Sequence, residues 1–242
     1  MPSSRRRALV AVVAVLALAA CSGDEPGQAV GTDISFLAPA DAGGVESVQL
    51  LGVERGAGQV GVVLAHALGN SQSSWSLFAE RLVDDDFHVL TFDFRGHGQS
   101  SGERSPSAAA LDLGAAVDKL RSLGALKIFV VGASMGGTAA IAVAAAQKLE
   151  GVVAISAPAS IDRLDAAAAV RQLDEPSLFV VAADDDEEYT EAARSFAANA
   201  PQQKRLQIVD GTGAHGTDLL TEEATRERVT DLILDFLIAN RG

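Results

Sequence analysis

A doubly wound, mostly parallel α/β sheet with helices on both faces is the fold class this sequence predicts, and three observations predict it. From Val45 onward, short β-branched runs alternate with longer helical stretches; Lys127 to Val131 carries a continuous apolar run; and Thr138 to Leu149 is apolar nearly all round its helical projection. A strand that is apolar on both faces must be covered on both, as a central parallel strand is. Strands separated by helices are joined by right-handed parallel crossovers, which place those helices above and below the sheet.

Taken in order, Val45 to Glu54 and Val60 to Ala65 read as strands joined by the turn Arg55-Gly56-Ala57-Gly58, and Ser74 to Val83 as a helix. His88 to Phe94 is the next strand. Ser107 to Leu123 carries the helical stripe Leu111, Leu113, Val117, Leu120 and Leu123, stopped by Gly124. After the buried strand and helix, Val152 to Ser156, Leu178 to Ala182 and Arg205 to Val209 repeat the strand signal, with helices expected around Glu188 to Asn199 and Glu222 to Ala239. Between Ser156 and Pro176 there is room for one helix, Asp162 to Leu173, and for no sizeable cap domain.

The chain has 242 residues, 48% hydrophobic and 21% charged, the composition of a well-cored globular protein. Its formal net charge of −13 repels phosphate backbones, so nucleic-acid binding is disfavoured. The single cysteine, Cys21, excludes an intramolecular disulfide, and the fold must hold by packing.

Arg5 to Arg7 precede an apolar stretch, Ala8 to Ala20. As a helix this stretch reaches only about 20 Å, short of the roughly 30 Å hydrocarbon core, and reads as a signal segment rather than a membrane span. Leu18-Ala19-Ala20-Cys21 resembles the bacterial lipoprotein box, which implies lipidation at Cys21 and attachment of the protein to the outer side of the cell membrane. Either general secretion or the twin-arginine route fits the basic start. The expected organisation is a signal peptide over 1–20, a flexible Gly-, Ala-, Asp- and Pro-containing tether over 21–44, and one α/β domain over 45–242.

The strongest chemical signal is Gly132-Ala133-Ser134-Met135-Gly136, between the buried strand and the buried helix. A serine nucleophile must stand clear of the sheet on a tight strand-to-helix turn, where flanking glycines remove the Cβ atoms that would collide. The helix start then offers unpaired N–H groups and a positive dipole end to developing negative charge.

Together with Asp93-Phe94-Arg95-Gly96-His97-Gly98-Gln99-Ser100, which is similar to the D-x-R-G-H-G-x-S turn after the fourth strand, this elbow resembles that of the α/β hydrolases, over nearly everything from Val45 to Asn240. The resemblance implies Ser134 as nucleophile and His215, in Gly211-Thr212-Gly213-Ala214-His215-Gly216, as general base. It also implies an acid after a later strand. Counting from Pro176 through Pro176-Ser177-Leu178 to Asp184-Asp185-Asp186 selects Asp185; a slip of one residue gives Asp184, and Asp186 and Glu187 stay open. Such a carboxylate holds the histidine's tautomer and stabilises its cation.

His66 resembles the histidine of the family's oxyanion motif, which implies the backbone N–H groups of Leu68 and Met135 as oxyanion donors. His88 reads as structural and His97 as support for the pocket wall. The acids Asp184 to Glu188 lack the spacing of a calcium loop, and no phosphate loop or dinucleotide fingerprint is present, so neither metal nor cofactor is expected. The implied chemistry is hydrolysis of carboxylic esters through an acyl-enzyme. Dienelactone-hydrolase-like or peptidase-like activity, or a non-catalytic binding role on the same scaffold, are the alternatives.

Overall fold

In the computed structural model, residues 31–40, 44–173, 177–201 and 204–242 are described. The strands are β1 (Thr32–Ala38), β2 (Val48–Arg55), β3 (Val60–Ala65), β4 (His88–Phe92), β5 (Lys127–Ala133), β6 (Gly151–Ile155), the hairpin strands β7 (Ser160–Ile161) and β8 (Leu164–Asp165), β9 (Ser177–Ala183) and β10 (Lys204–Val209). The helices are α1 (Ser76–Asp84), α2 (Ala109–Ser122), α3 (Met135–Ala146), α4 (Ala166–Ala169), α5 (Glu187–Asn199) and α6 (Arg226–Asn240). Eight strands form one sheet in the order β1-β2-β4-β3-β5-β6-β9-β10. From β4 to β10 every pairing is parallel, and β1 and β2 join antiparallel at one edge.

The doubly wound expectation follows directly from the side-chain alternation of β5. Ile128 and Val130 point to one face, where Leu113, Val117 and Leu120 of α2, Ala139 and Ile141 of α3, and Phe196 of α5 cover them. Phe129 and Val131 point to the other, under Phe78 and Leu82 of α1 and Ile233 and Leu237 of α6. Each such large side chain contributes about 1.5–3 kcal/mol on burial, so the two cores hold the sheet without a disulfide.

Three elements differ from expectation. Within the segment expected as a flexible tether, residues 32–38 form β1, paired with β2 from Thr32–Glu54 to Ala38–Val48. Ile34, Phe36 and Ala38 alternate toward the core, a period-2 pattern too short to stand out beside the Gly- and Pro-containing residues around it. Between β6 and β9 the single helix expected over 162–173 is instead the β7–β8 hairpin followed by the four-residue α4 and a 3₁₀ turn at Val170–Gln172. Asp162 turns with φ 51°, and the Asp165 carboxylate caps α4 by accepting from Ala168 N–H at 2.8 Å. The insertion remains too small to form a cap domain. Finally, α3 begins at Met135, directly after Ser134, rather than at Thr138.

Among the described residues no helix is long and apolar enough to cross a membrane. The signal segment, Cys21 and Pro176 lie outside the described residues.

Candidate active site

The carboxyl ends of the central strands carry the chemistry-bearing side chains. Ser134 leaves β5 with φ 50° and ψ −117°, a conformation sparsely populated for a residue with a Cβ, and α3 starts at the next residue. Its backbone N–H donates to Ile155 O of the neighbouring β6 at 2.8 Å. Two glycines make the turn possible. A Cβ on Gly132 would sit 2.2 Å from Gly136 O, and one on Gly136 would sit 2.2 Å from Ala65 O and 2.8 Å from His66 O. The second approach also shows how close the start of α3 lies to the end of β3 and to the loop carrying Leu68.

His215 lies on the loop after β10. Its following residue, Gly216, has φ 59° and donates its N–H to the buried Ser156 Oγ at 3.0 Å, and a Cβ there would lie 3.4 Å from Ala133 Cβ. The loop is thereby fixed against the residues immediately before Ser134 and after β6. The His215 ring is about one-third exposed, so the site is open to solvent.

The carboxylate that meets His215 belongs to Asp186, whose Oδ2 lies 2.8 Å from His215 Nδ1. This corrects the expectation of Asp185, and the reason lies at the end of β9. Asp184 and Asp185 continue the contact with the β10 side through their N–H groups, which donate to Val209 O at 3.0 Å and Thr212 O at 3.3 Å. The Asp184 carboxylate turns back and accepts from Gly211 and Thr212 N–H at 3.0 and 3.2 Å. Those bonds, with Gly211's the larger cause, hold its pKa below the ordinary carboxylate range. Asp185 is exposed. Asp186 is the first residue free to rise over the sheet, and as N-cap of α5 it makes no side-chain capping bond that would compete with His215.

Under the mouth of the site lie two buried imidazoles, His66 and His97. His66 donates Nδ1–H to Ala67 O at 2.8 Å and accepts Phe94 N–H on Nε2 at 3.0 Å. Burial pushes its pKa down to about 4 against the smaller raising effect of the Ala67 carbonyl. His97 donates Nδ1–H to Arg95 O at 2.9 Å and accepts Gly69 N–H at 3.3 Å. The two rings stand 5.0 Å apart. Together they tie the loop Ala67–Asn70, with Gly69 at φ 85°, to the turn after β4. That turn is locked by Asp93, which accepts Gln72 and Gln99 N–H at 2.8 and 3.0 Å, and by Arg95, whose guanidinium grips the buried Asp112 of α2 at 2.6–3.1 Å. Leu68 and Met135, the expected oxyanion residues, occupy the turn after β3 and the first position of α3. Among the described residues no acceptor meets either N–H.

Tyr189, which the sequence reading did not single out, lies on α5 with its ring centroid 4.4 Å from that of His215 at an interplanar angle of 61°. Its sequence signal is the spacing of three from Asp186 at the start of α5. His88, at the start of β4, pairs with Glu54 of the neighbouring β2 at 2.7 Å, apart from the site. Among the described residues no group of three or more His, Cys, Asp or Glu is placed to hold a metal.

This geometry agrees with comparisons to known proteins. The model of the alpha/beta hydrolase family matches residues 62–237. An esterase from Pyrococcus furiosus superposes with a TM-score of 0.71 at 20% identity, over 88% of this chain and 92% of that one. A thermophilic esterase from Thermogutta terrifontis gives 0.71 at 20% identity over 87% and 100%. A dienelactone hydrolase from Anabaena variabilis gives 0.69 at 20% identity over 87% and 98%. No curated protein sequence is detectably similar. With the sheet order, the strained serine between β5 and α3, and a family match over most of its length, this chain belongs to the alpha/beta hydrolase family.

Proposed function

We propose that the protein is a serine hydrolase that cleaves carboxylic esters through an acyl-enzyme intermediate. The observation that carries the reading is the Asp186–His215 hydrogen bond, formed on a loop fixed against the strained turn that presents Ser134. In the first half-reaction His215 Nε2 removes the proton of Ser134 as its oxygen bonds to the ester carbonyl carbon. The negative charge passes to the carbonyl oxygen, between the N–H groups of Leu68 and Met135. Collapse expels the alcohol, which takes the proton from His215, and water repeats the sequence to release the acid. Asp186 keeps Nδ1 protonated and stabilises the imidazolium. The small β7–β8 insertion leaves the site open, which favours esters with sizeable acyl or alcohol groups. The esterase and dienelactone hydrolase named among its structural neighbours are consistent with ester chemistry.

The same reading extends to location. Lipidation of Cys21 after removal of residues 1–20 would hold the domain on the outer side of the membrane, and detergent partitioning of wild type against Cys21→Ser tests it.

Labelling with a fluorophosphonate, alongside hydrolysis of p-nitrophenyl esters, tests the mechanism. Wild type should label and turn over, and Ser134→Ala should do neither while remaining folded. Among the acids, Asp186→Asn should lower kcat by roughly 10³–10⁴-fold, with mild effects from Asp184→Asn and Asp185→Asn. Wild-type turnover in Ser134→Ala would overturn the proposal.

A further inference from the structure

We infer that Tyr189 is a positioning residue for His215: its ring fixes the plane of the imidazole while Nδ1 holds the Asp186 bond, leaving Nε2 set for the role proposed above. This rests on the proposed role of His215 and deepens it. Two contacts are needed to fix an imidazole that hangs from a loop. The Asp186 bond restrains one nitrogen, but the ring can still rock about that bond. The edge-to-face contact with Tyr189, at 4.4 Å between centroids, opposes the rocking.

The scaffold shows why both contacts come from one place. Tyr189 follows Asp186 by three residues, so both project from the same side of the first turn of α5. Tyr189 and Thr190 N–H groups donate to Asp186 O at 3.1 and 2.9 Å, and Thr190 Oγ1 donates to Ala183 O at the end of β9. Acid and aromatic ring are therefore referenced to the sheet as one rigid unit. The Tyr189 ring also packs against the α2–α3–α5 core, which stops it from yielding when the imidazole pushes. Burial, and then the charges of Glu188 and Asp186, raise the phenol's pKa, so Tyr189 acts as a neutral ring throughout the working range.

Three variants test this. Tyr189→Phe keeps the ring and should hold kcat within about twofold of wild type. Tyr189→Leu keeps apolar volume but loses the flat face; it should lower kcat by roughly tenfold, with KM within about twofold. Tyr189→Ala should fall further. A readout independent of turnover is the downfield proton resonance of His215 Nδ1–H, which should be sharp in wild type, Tyr189→Phe and Ser134→Ala, and broadened by exchange in Tyr189→Leu. If Tyr189→Leu keeps wild-type kcat and a sharp resonance, or if Tyr189→Phe is as impaired as Tyr189→Leu, the inference is wrong. Failure of Ser134→Ala to abolish turnover would instead strike the proposed function, which separates the two outcomes.

Discussion

Gly216 N–H donates to Ser156 Oγ at 3.0 Å, a buried bond across 60 positions that fastens the residue after His215 to the residue after β6. Ser156 itself turns with φ 47°, and its own N–H donates to Val181 O of β9 at 2.8 Å. One residue, through its side chain and its backbone N–H, thus couples the histidine loop to β6 and β9. Ser156→Ala should leave the buried Gly216 N–H without a partner and lower stability by about 1–3 kcal/mol. Denaturant unfolding would measure this, and ester turnover should fall several-fold in the same variant because the loop is freed. Unchanged stability would show that this bond is not what fixes the loop.

Acid should weaken the fold through His66 at a higher pH than through its carboxylates. Folded His66 has its pKa lowered from 6.5 to about 4, so the unfolded chain binds the extra proton first as pH falls. The stability this site contributes is complete above about 6.5 and is lost progressively down to about 4, a loss of about 3 kcal/mol. Asp184, also lowered, adds a loss in the same direction at lower pH, where its bonds to Gly211 and Thr212 are broken by protonation. Urea midpoints between pH 7 and 4.5 should fall in wild type. They should fall less in His66→Asn, whose side chain does not titrate. Equal slopes would mean that His66 is protonated in the folded state.

How much of this was legible in the sequence depends on whether a local pattern or a contact across the sheet decided it. Ser134 could be placed because the elbow's demands are local: two glycines whose Cβ atoms would strike Gly136 O and Ala65 O, between an apolar strand and an apolar helix. The turn Asp93–Ser100 was likewise visible, though its purpose, holding the loop of Leu68 through His66 and His97, was not. The carboxylate that meets His215 comes one residue after Asp185 because nothing in Asp184-Asp185-Asp186 says how far pairing with the β10 loop continues. That is decided by Val209 O and Thr212 O, which are remote in sequence. β1 was missed for the same kind of reason, since its seven residues become a strand by pairing with β2 at the sheet edge.

The last prediction concerns the strain at Ser134. Its φ of 50° with ψ of −117° is far more accessible to glycine, and holding a residue with a Cβ there costs on the order of 1–3 kcal/mol. The cost is met by the surrounding frame: Ser134 N–H on Ile155 O, Thr138 N–H on Ser134 O, and the close approach of Gly136 to β3. Ser134→Ala keeps the Cβ and therefore the strain, so its stability should match wild type. Ser134→Gly removes the Cβ, and the relief should outweigh the roughly 0.5–1 kcal/mol of added chain entropy lost on folding. We therefore expect Ser134→Gly to be inactive and more stable than Ser134→Ala by about 1 kcal/mol, measured by urea unfolding at pH 7. A glycine variant no more stable than the alanine one would show that the elbow is relaxed in the native protein, and that Ser134 is held there without stored strain.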